Sequence, residues 1–534
     1  MSTDMAADGS DRPAKRVSAG YAVEGEVLEL GTVVVDGDVD PTARIRVPLA
    51  TVNRHGLVAG ATGTGKTKTL QLIAEQLSAA GVAVLMADVK GDLSGLARTG
   101  VAGDKIAERA KQTGDDWTPA KFPVEFLSLG TGGVGVPVRA AISSFGPVLL
   151  SKVLELNATQ ESTLGLIFYW ADRRGLPLLD LKDLRAVIRY LISDEGKSEL
   201  KSLGAVSTRT AGVILRALVT LEAEGADTFF GEPELNSEDL VRIDDQGRGV
   251  ISLLEFSGNS LRPVLFSTFL MWVLADLFVL LPEIGDLAKP KLVIVFDEAH
   301  LLFAGASKAF LQQVEQTVKL IRSRGVGVFF CTQSPTDVPK EVLSQLGARV
   351  QHALRAFTAD DQKALRKTVR TYPQTDVYDL ESALTSLGIG EAVVTVLSET
   401  GAPTPVAWTR MRAPRSLMGA IGAEAIDAAA GASSLQAEYG QTIDRESAHE
   451  LLSAKLAPAQ RTLPERVPTP LGEQGPLPWP NGVEVPPMPA PVEPQGPAMW
   501  EEILNNPTVK SVLNTTAREI TRSIFGTGRR RRRK

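Results

Sequence analysis

Residues 55–70, HGLVAGATGTGKTKTL, decide how the rest of the chain is read: a short apolar run enters a glycine-rich loop, and a helical pattern leaves it. Gly60, Gly65, Lys66 and Thr67 fill the fixed positions of GxxxxGK[ST], the phosphate-binding loop; Ala61, Thr62, Gly63 and Thr64 are its variable residues and Lys68 follows. Glycine lets successive backbone N–H groups converge on phosphate oxygens, the helix N-terminus adds positive potential, and Lys66 adds a mobile charge. The Thr67 hydroxyl is placed to hold Mg²⁺. The pattern alone is short enough to arise by chance among 48 glycines. Its flanks, a strand before and a helix after, separate it from an ordinary glycine-rich turn.

A phosphate loop needs a second, acidic centre. Residues 292–298, LVIVFDE, supply an apolar strand ending in two acids. Ligands bind at the carboxyl edge of a parallel sheet, so both acids are expected beside the loop. Asp297 is suited to hold Mg²⁺ together with Thr67, and Glu298 to polarise an attacking water. The next strand ends in CTQSP, residues 331–335. It follows the acid-bearing strand after a single helix and is expected between that strand and the loop strand, with Gln333 reaching the γ-phosphate or the water from its tip. Hydrolysis also calls for positive charge on the γ-phosphate, often an arginine from a neighbouring subunit. Arg322 and Arg324 close the helix after the acids; the helix dipole alone also accounts for basic residues there.

The 534 residues have the composition of a soluble globular protein, with 43% hydrophobic and 22% charged residues. A net charge of -6 gives no general basic footprint for nucleic acid, so any DNA contact must be local. Cys331, the only cysteine, follows an apolar run and reads as a buried, inert thiol; no disulfide can form, which fits a reducing cytoplasm. The polar N-terminus is expected to be neither signal peptide nor anchor. Residues 261–281 are long and apolar enough to suggest a membrane span, yet they lie between two strands of one core and contain Asp276, so a helix buried on a sheet face is expected.

Strands are expected at 24–35, 44–47, 82–87, 123–129, 249–256, 292–296 and 325–330, with 348–354 and 391–397 closing the sheet at one edge. Alternation with helices indicates a doubly wound α/β fold. Between about 140 and 241 helical spacing replaces the strand signal. Twelve prolines fall between Pro464 and Pro497, marking an extended linker, and six consecutive basic residues, Arg529 to Lys534, end the chain. That run is either a solvated tail or a non-specific contact to phosphate.

GLVAGATGTGKT, VLMADVKGDLSGL, VIVFDEAHLLF and IRSRGVGVFFCTQSP together resemble the HerA/FtsK branch of P-loop ATPases, and closely its bacterial HerA-like members of undefined role, over about residues 22–415. The resemblance implies a RecA-like core in a homo-oligomeric ring, expected to be a hexamer, with ATP sites between subunits and a channel for double-stranded DNA. It makes Lys66 and Thr67 the Walker A pair, Asp297 and Glu298 the Walker B pair, Gln333 the sensor and Arg322 the trans-acting arginine. Arg54, just before the loop strand, matches a second arginine of the pattern. With so little chain before the loop, the N-terminal barrel of characterised HerA proteins is not expected here, nor are the membrane helices of FtsK-type pumps. Asp297 to His300 spells DEAH, but a DEAH-box helicase needs a second RecA-like domain for which residues 334–534 hold no pattern.

The expected layout is a disordered N-terminus (1–20), a short β segment (21–50), the first part of the core (51–139), a helical insertion (140–241), the second part of the core (242–413), a helical extension (414–458), a Pro-rich linker (459–498), and an amphipathic helix with a basic tail (499–534). The function expected is a cytoplasmic, Mg²⁺-dependent ATPase that moves on or remodels DNA and has no membrane partner. The alternative is a nucleotide-gated scaffold acting on an unidentified protein partner through the C-terminal arm.

Overall fold

The computed structural model describes residues 13–456 apart from 89–90, 132, 200–205, 256–262 and 286. The linker, terminal helix and basic tail expected beyond 458, and most of the N-terminal segment, lie outside the described residues. Those described fall in one compact unit that ends at Leu456.

In chain order the elements are α1 (Pro13–Ala19), β1 (Val27–Val35), β2 (Asp38–Pro48), β3 (Gly56–Ala59), α2 (Lys66–Ala79), β4 (Ala83–Asp88), α3 (Asp104–Thr113), β5 (Val124–Leu129) and β6 (Val136–Val138). Four helices follow, α4 (Ile142–Val153), α5 (Ala158–Arg173), α6 (Leu181–Ile192) and α7 (Thr208–Ala223). The sheet resumes with β7 (Ile251–Glu255), α8 (Pro263–Leu280), β8 (Leu292–Phe296), α9 (His300–Phe303), α10 (Lys308–Ile321), β9 (Val326–Thr332), α11 (Lys340–Leu343) and β10 (Ala348–Gln351). Then come α12 (Ala359–Val369), α13 (Leu380–Ser386), β11 (Glu391–Thr395), β12 (Ala407–Met411), α14 (Ala423–Gly431), α15 (Ser434–Tyr439) and α16 (Ala448–Leu456).

All strands join one 12-stranded sheet in the order β2-β1-β12-β11-β10-β3-β9-β8-β4-β7-β5-β6. From β10 to β6 every pairing is parallel; β11, β12, β1 and β2 extend it antiparallel. This is the α/β, RecA-like core with a parallel-rich sheet. Its central strands β3, β4, β7, β8 and β9 are buried at every residue, because helices cover both faces, and so they read as unbroken apolar runs. The inserted strand β9 does lie between β3 and β8.

One expectation is corrected. Residues 348–354 and 391–397 do not close the sheet: β10 and β11 are interior, and the edge belongs to the N-terminal hairpin β1–β2, reached through β12. Strands β12 and β6 escaped the sequence reading. β12 alternates buried and half-buried residues over only five positions, with Trp408 and Arg410 on the outer side, too short a pattern to stand out; β6 has three residues. Across that edge Glu29 of β1 accepts from Arg44 (2.9 Å) and Arg46 (3.2 Å) of β2 and from Arg412 (2.8 Å), so one carboxylate ties the hairpin to the residue after β12.

Helix α8 is apolar all round and packed on all sides in its middle: Phe269, Met271, Val273 and Leu274 are fully buried, and Trp272 Nε1 donates to the Ser144 carbonyl at 3.1 Å, while Val279 and Leu280 at its end are exposed. Among the described residues no helix is long and apolar enough to cross a membrane.

Past β12 the chain doubles back over α2, the helix that leaves the glycine loop. The buried Glu75 carboxylate accepts from the backbone N–H of Arg415 (2.8 Å) and of Ser416 (2.9 Å) and from the Ser416 hydroxyl; Gln71 donates to Ser416 Oγ (2.6 Å) and the Leu417 carbonyl (3.0 Å). A buried acceptor serving two backbone amides is costly to remove, because both donors are left without a partner. Glu75→Ala is therefore expected to cost about 2–3 kcal/mol in urea unfolding; a change within experimental error would show that this crossing does not hold the helix.

Candidate nucleotide site

The loop from Gly60 to Gly65 needs left-handed backbone at three glycines, with φ of 153° at Gly60, 81° at Gly63 and 117° at Gly65. At Gly60 space forbids a side chain as well, since a Cβ there would stand 2.5 Å from the His352 Cβ. Neighbouring strands hold the loop through its backbone. Gly60 N donates to the Thr332 carbonyl of β9 (3.2 Å), Ala61 N to the Ala353 carbonyl beyond β10 (2.8 Å), and the Thr64 carbonyl accepts from Gly390 N (3.0 Å). Thr64 Oγ1 also closes on the Ala61 carbonyl at 2.7 Å.

Lys66 folds over the loop and donates to the Gly60 (2.7 Å) and Ala61 (3.2 Å) carbonyls. Its ammonium is thus poised on acceptors that a phosphate oxygen, with a full charge, would outcompete. Thr67 is half-buried in the first turn of α2. Lys68 turns aside to donate to Gln71 Oε1 (3.1 Å); burial lowers its pKa, while Asp92, Asp88 and Glu75 oppose that shift.

Beneath the loop lies His352, which sequence reading missed. Its Nδ1–H donates to the Glu391 carbonyl (2.8 Å), leaving Nε2 to accept from the Thr69 hydroxyl (2.9 Å). Burial pushes its pKa down to about 4, so the ring is neutral and this tautomer is fixed near neutral pH. It couples α2 to β10 and β11. The HAL run after β10 carried no motif that would mark it.

The register of the parallel strands sets where the acids fall. Ala59 pairs with Thr332 and Phe296 with Phe330, so Gln333 comes level with Gly60, and Asp297 level with Cys331. Gln333 is exposed at the tip of β9. The Asp297 carboxylate accepts from Glu298 N at 2.9 Å, and Ala299 N ties the turn to the Cys331 carbonyl at 2.8 Å. Glu298 has φ of 47°, a left-handed backbone that a residue with a long side chain adopts at a cost, and such strain concentrates where function over-determines geometry. Its Oε2 is buried without a hydrogen-bond partner, 3.3 Å from His300 Nδ1. Cys331 is the buried thiol expected: burial raises its pKa well above the ordinary value, and Asp297 adds to the shift. The same thiol lies in the fields of Lys66 and Glu298. Lys66, Asp297 and Glu298 therefore lie within electrostatic reach of one thiol.

This donor set suits Mg²⁺, a hard cation that takes a hydroxyl and a carboxylate oxygen and keeps several waters. Thr67 and Asp297 could supply those oxygens, and Glu298 Oε2, which has no hydrogen bond among the described residues, could accept one from water.

Arg54 and Arg322 lie elsewhere. Arg54 precedes β3 and donates to the carbonyls of Ser398 (3.2 Å) and Glu399 (3.4 Å); Arg322 follows α10, where its charge lowers the pKa of buried His55. Both are at the amino edge of the sheet, a strand's length from their own loop. The Arg324 guanidinium donates to the Leu281 carbonyl and lies 5.0 Å over the Phe278 ring, which assigns it to holding α8. Arg355, unmarked in the sequence, donates from an exposed position to the Thr62 carbonyl at the tip of the loop (3.3 Å).

Two more acids end strands at the carboxyl edge. Asp88 and Glu255 are paired in register, and both are 2% exposed. Asp88 accepts from Leu93 N (2.7 Å) and Ser94 N (3.1 Å), whereas among the described residues neither oxygen of Glu255 has a hydrogen-bond partner. Burial raises Asp88 to about 6 and Glu255 to about 8, the nearby Asp88 charge contributing to the latter. Both pKa values exceed the ordinary ones, so the fold favours the protonated acids. Their contribution is full below the ordinary carboxylate range and is lost as pH rises through about 6 and about 8. Glu255→Gln should therefore raise the Tm relative to wild type at about pH 8, with the gap closing towards about pH 5; a gap independent of pH would refute the raised pKa.

The Helicase HerA-like C-terminal family matches residues 34–533. No curated protein matches. Among solved structures, the plasmid coupling protein TrwB with a non-hydrolysable ATP analogue is similar at 16% identity over 76% of this chain and 94% of that one, with a TM-score of 0.49. TrwB with ADP and Mg²⁺ gives 16%, 75%, 94% and 0.48. VirB4 of Thermoanaerobacter pseudethanolicus gives 14%, 73%, 98% and 0.43. A family match spanning nearly the whole sequence, on a chain whose sheet brings a phosphate loop and two strand-end acids to one edge, places this protein in the HerA-like helicase C-terminal family.

Proposed function

We propose that the chain is a cytoplasmic, Mg²⁺-dependent ATPase that works as a ring, of hexameric size, on double-stranded DNA. The observation that carries the ATPase reading is the strand register that brings the glycine loop, Gln333 and the acids Asp297 and Glu298 to one level at the carboxyl edge. The family's helicase description supports the DNA reading.

The loop amides bind the phosphates, and Lys66 moves from the Gly60 and Ala61 carbonyls onto them. Thr67 and Asp297 are the residues that would hold Mg²⁺, which when bound would neutralise phosphate charge. Glu298, with an acceptor oxygen free of hydrogen bonds, takes the proton of the attacking water, and Gln333 orients that water from the tip of the neighbouring strand. The trans-acting charge comes from Arg322 of the next subunit, with Arg54 beside it. Their place at the amino edge supports this reading, since neither reaches its own loop.

Lys66→Ala is expected to lose ATP binding; tight binding by that variant would break the loop assignment. Glu298→Gln should keep ATP binding while turnover falls about 10²–10⁴-fold, and normal turnover would remove it as the base. Mixing Arg322→Ala with Glu298→Gln subunits should restore part of the activity, because some interfaces then join an intact Glu298 to an intact Arg322. No recovery in rings verified to be mixed would contradict action in trans.

A further inference from the structure

Among the described residues the two most exposed large apolar side chains are Phe357, at 84%, and Ile389, at 76%. Scattered exposed apolar residues need no explanation. These two, however, sit on the two segments that clasp the phosphate loop.

Past the end of β10 the chain runs alongside the loop: His352 N donates to the Ala59 carbonyl (2.7 Å), the Ala353 carbonyl accepts from Ala61 N (2.8 Å), and Arg355 reaches the Thr62 carbonyl (3.3 Å). Phe357 follows two residues later, at most about 7 Å along the chain. On the other segment Gly390 N donates to the Thr64 carbonyl (3.0 Å). The Arg109 guanidinium fastens that turn by donating to the carbonyls of Gly390 (3.0 Å), Met411 (3.0 Å) and Ile389 (3.3 Å). Ile389 is thus held in place although its side chain stands in water.

The loop therefore has two unlike flanks. On the side of β9, β8 and β4 lie the strand-end acids Asp297, Glu298 and Asp88, a setting for metal and water and a poor one for an aromatic ring. On the side of β10 and β11 the two segments that hold the loop carry the apolar pair. A nucleotide with its phosphates in the loop has its base within one nucleotide length, and only the second flank offers faces on which a flat, weakly polar ring gains by leaving water.

We propose that Phe357 and Ile389 bracket the nucleobase, with the Phe357 ring against its face. The proposal rests on the nucleotide reading of the loop and deepens it by assigning the base subsite.

The test measures binding of Mg-ADP and of Mg-pyrophosphate, which carries the phosphates without the base, to the full chain, together with its mass in solution. Phe357→Ala should weaken ADP binding about tenfold or more, leave pyrophosphate binding unchanged and leave the mass unchanged. Ile389→Ala should act in the same direction by a smaller factor, and Phe357→Trp should restore ADP affinity. Lys66→Ala should lose both ligands. If Phe357→Ala binds ADP like wild type while Lys66→Ala does not bind it, the base subsite is overturned and the nucleotide reading stands. If wild type binds neither ligand, that reading falls and takes the subsite with it. If Phe357→Ala lowers the mass and weakens both ligands together, the side chain is covered by a second copy of the chain, and the proposal is overturned.

Discussion

The register of three parallel strands is the constraint on which the site depends. β3 ends at Ala59 opposite Thr332, and β8 ends at Phe296 opposite Phe330, so the loop, Gln333 and the two acids leave the sheet at nearly one level. A slip of one residue in either pairing would turn every side chain on that strand to the other face and carry the acids away from Lys66. The strands are buried at every position, so register is set by packing on both faces, and glycine fits where backbones crowd. A Cβ at Gly56 would meet the Phe329 ring at 2.3 Å.

The same sheet separates two kinds of residue. The phosphate loop and the strand-end acids gather at the carboxyl edge, while Arg54 and Arg322 stand at the amino edge. The strands between them are fully buried. On the proposed reading, in which both sets serve one site, a second copy would complete it through a head-to-tail contact, amino edge to carboxyl edge. Such contacts close into rings when the rotation allows.

Much of this was legible in the sequence because the features are local. The loop is a contiguous motif, Asp297 and Glu298 end an apolar run, and the strand at 325–330 follows the one at 292–296 after one stretch of helical pattern, which the structure divides into α9 and α10. What escaped reading depends on distant pairing. His352 acquires its place only when β10 lies beside β3 and Glu391 arrives from β11. Asp88 directly follows the strand expected at 82–87, but Glu255 becomes its neighbour only through the β4–β7 pairing, and its unsatisfied oxygens are a fact of burial. The edge of the sheet was misjudged for a related reason: β12 is too short and too polar on one side to register, and without it β10 and β11 look like the last strands.

The most direct test of the account is steady-state ATP hydrolysis by the full chain with and without linear double-stranded DNA, recorded with the mass in solution and with Glu298→Gln as the blank. The account predicts a multimer whose Mg²⁺-dependent turnover is absent in the blank and rises strongly with DNA. Turnover by a monomer, or turnover indifferent to DNA across salt concentrations, would contradict it.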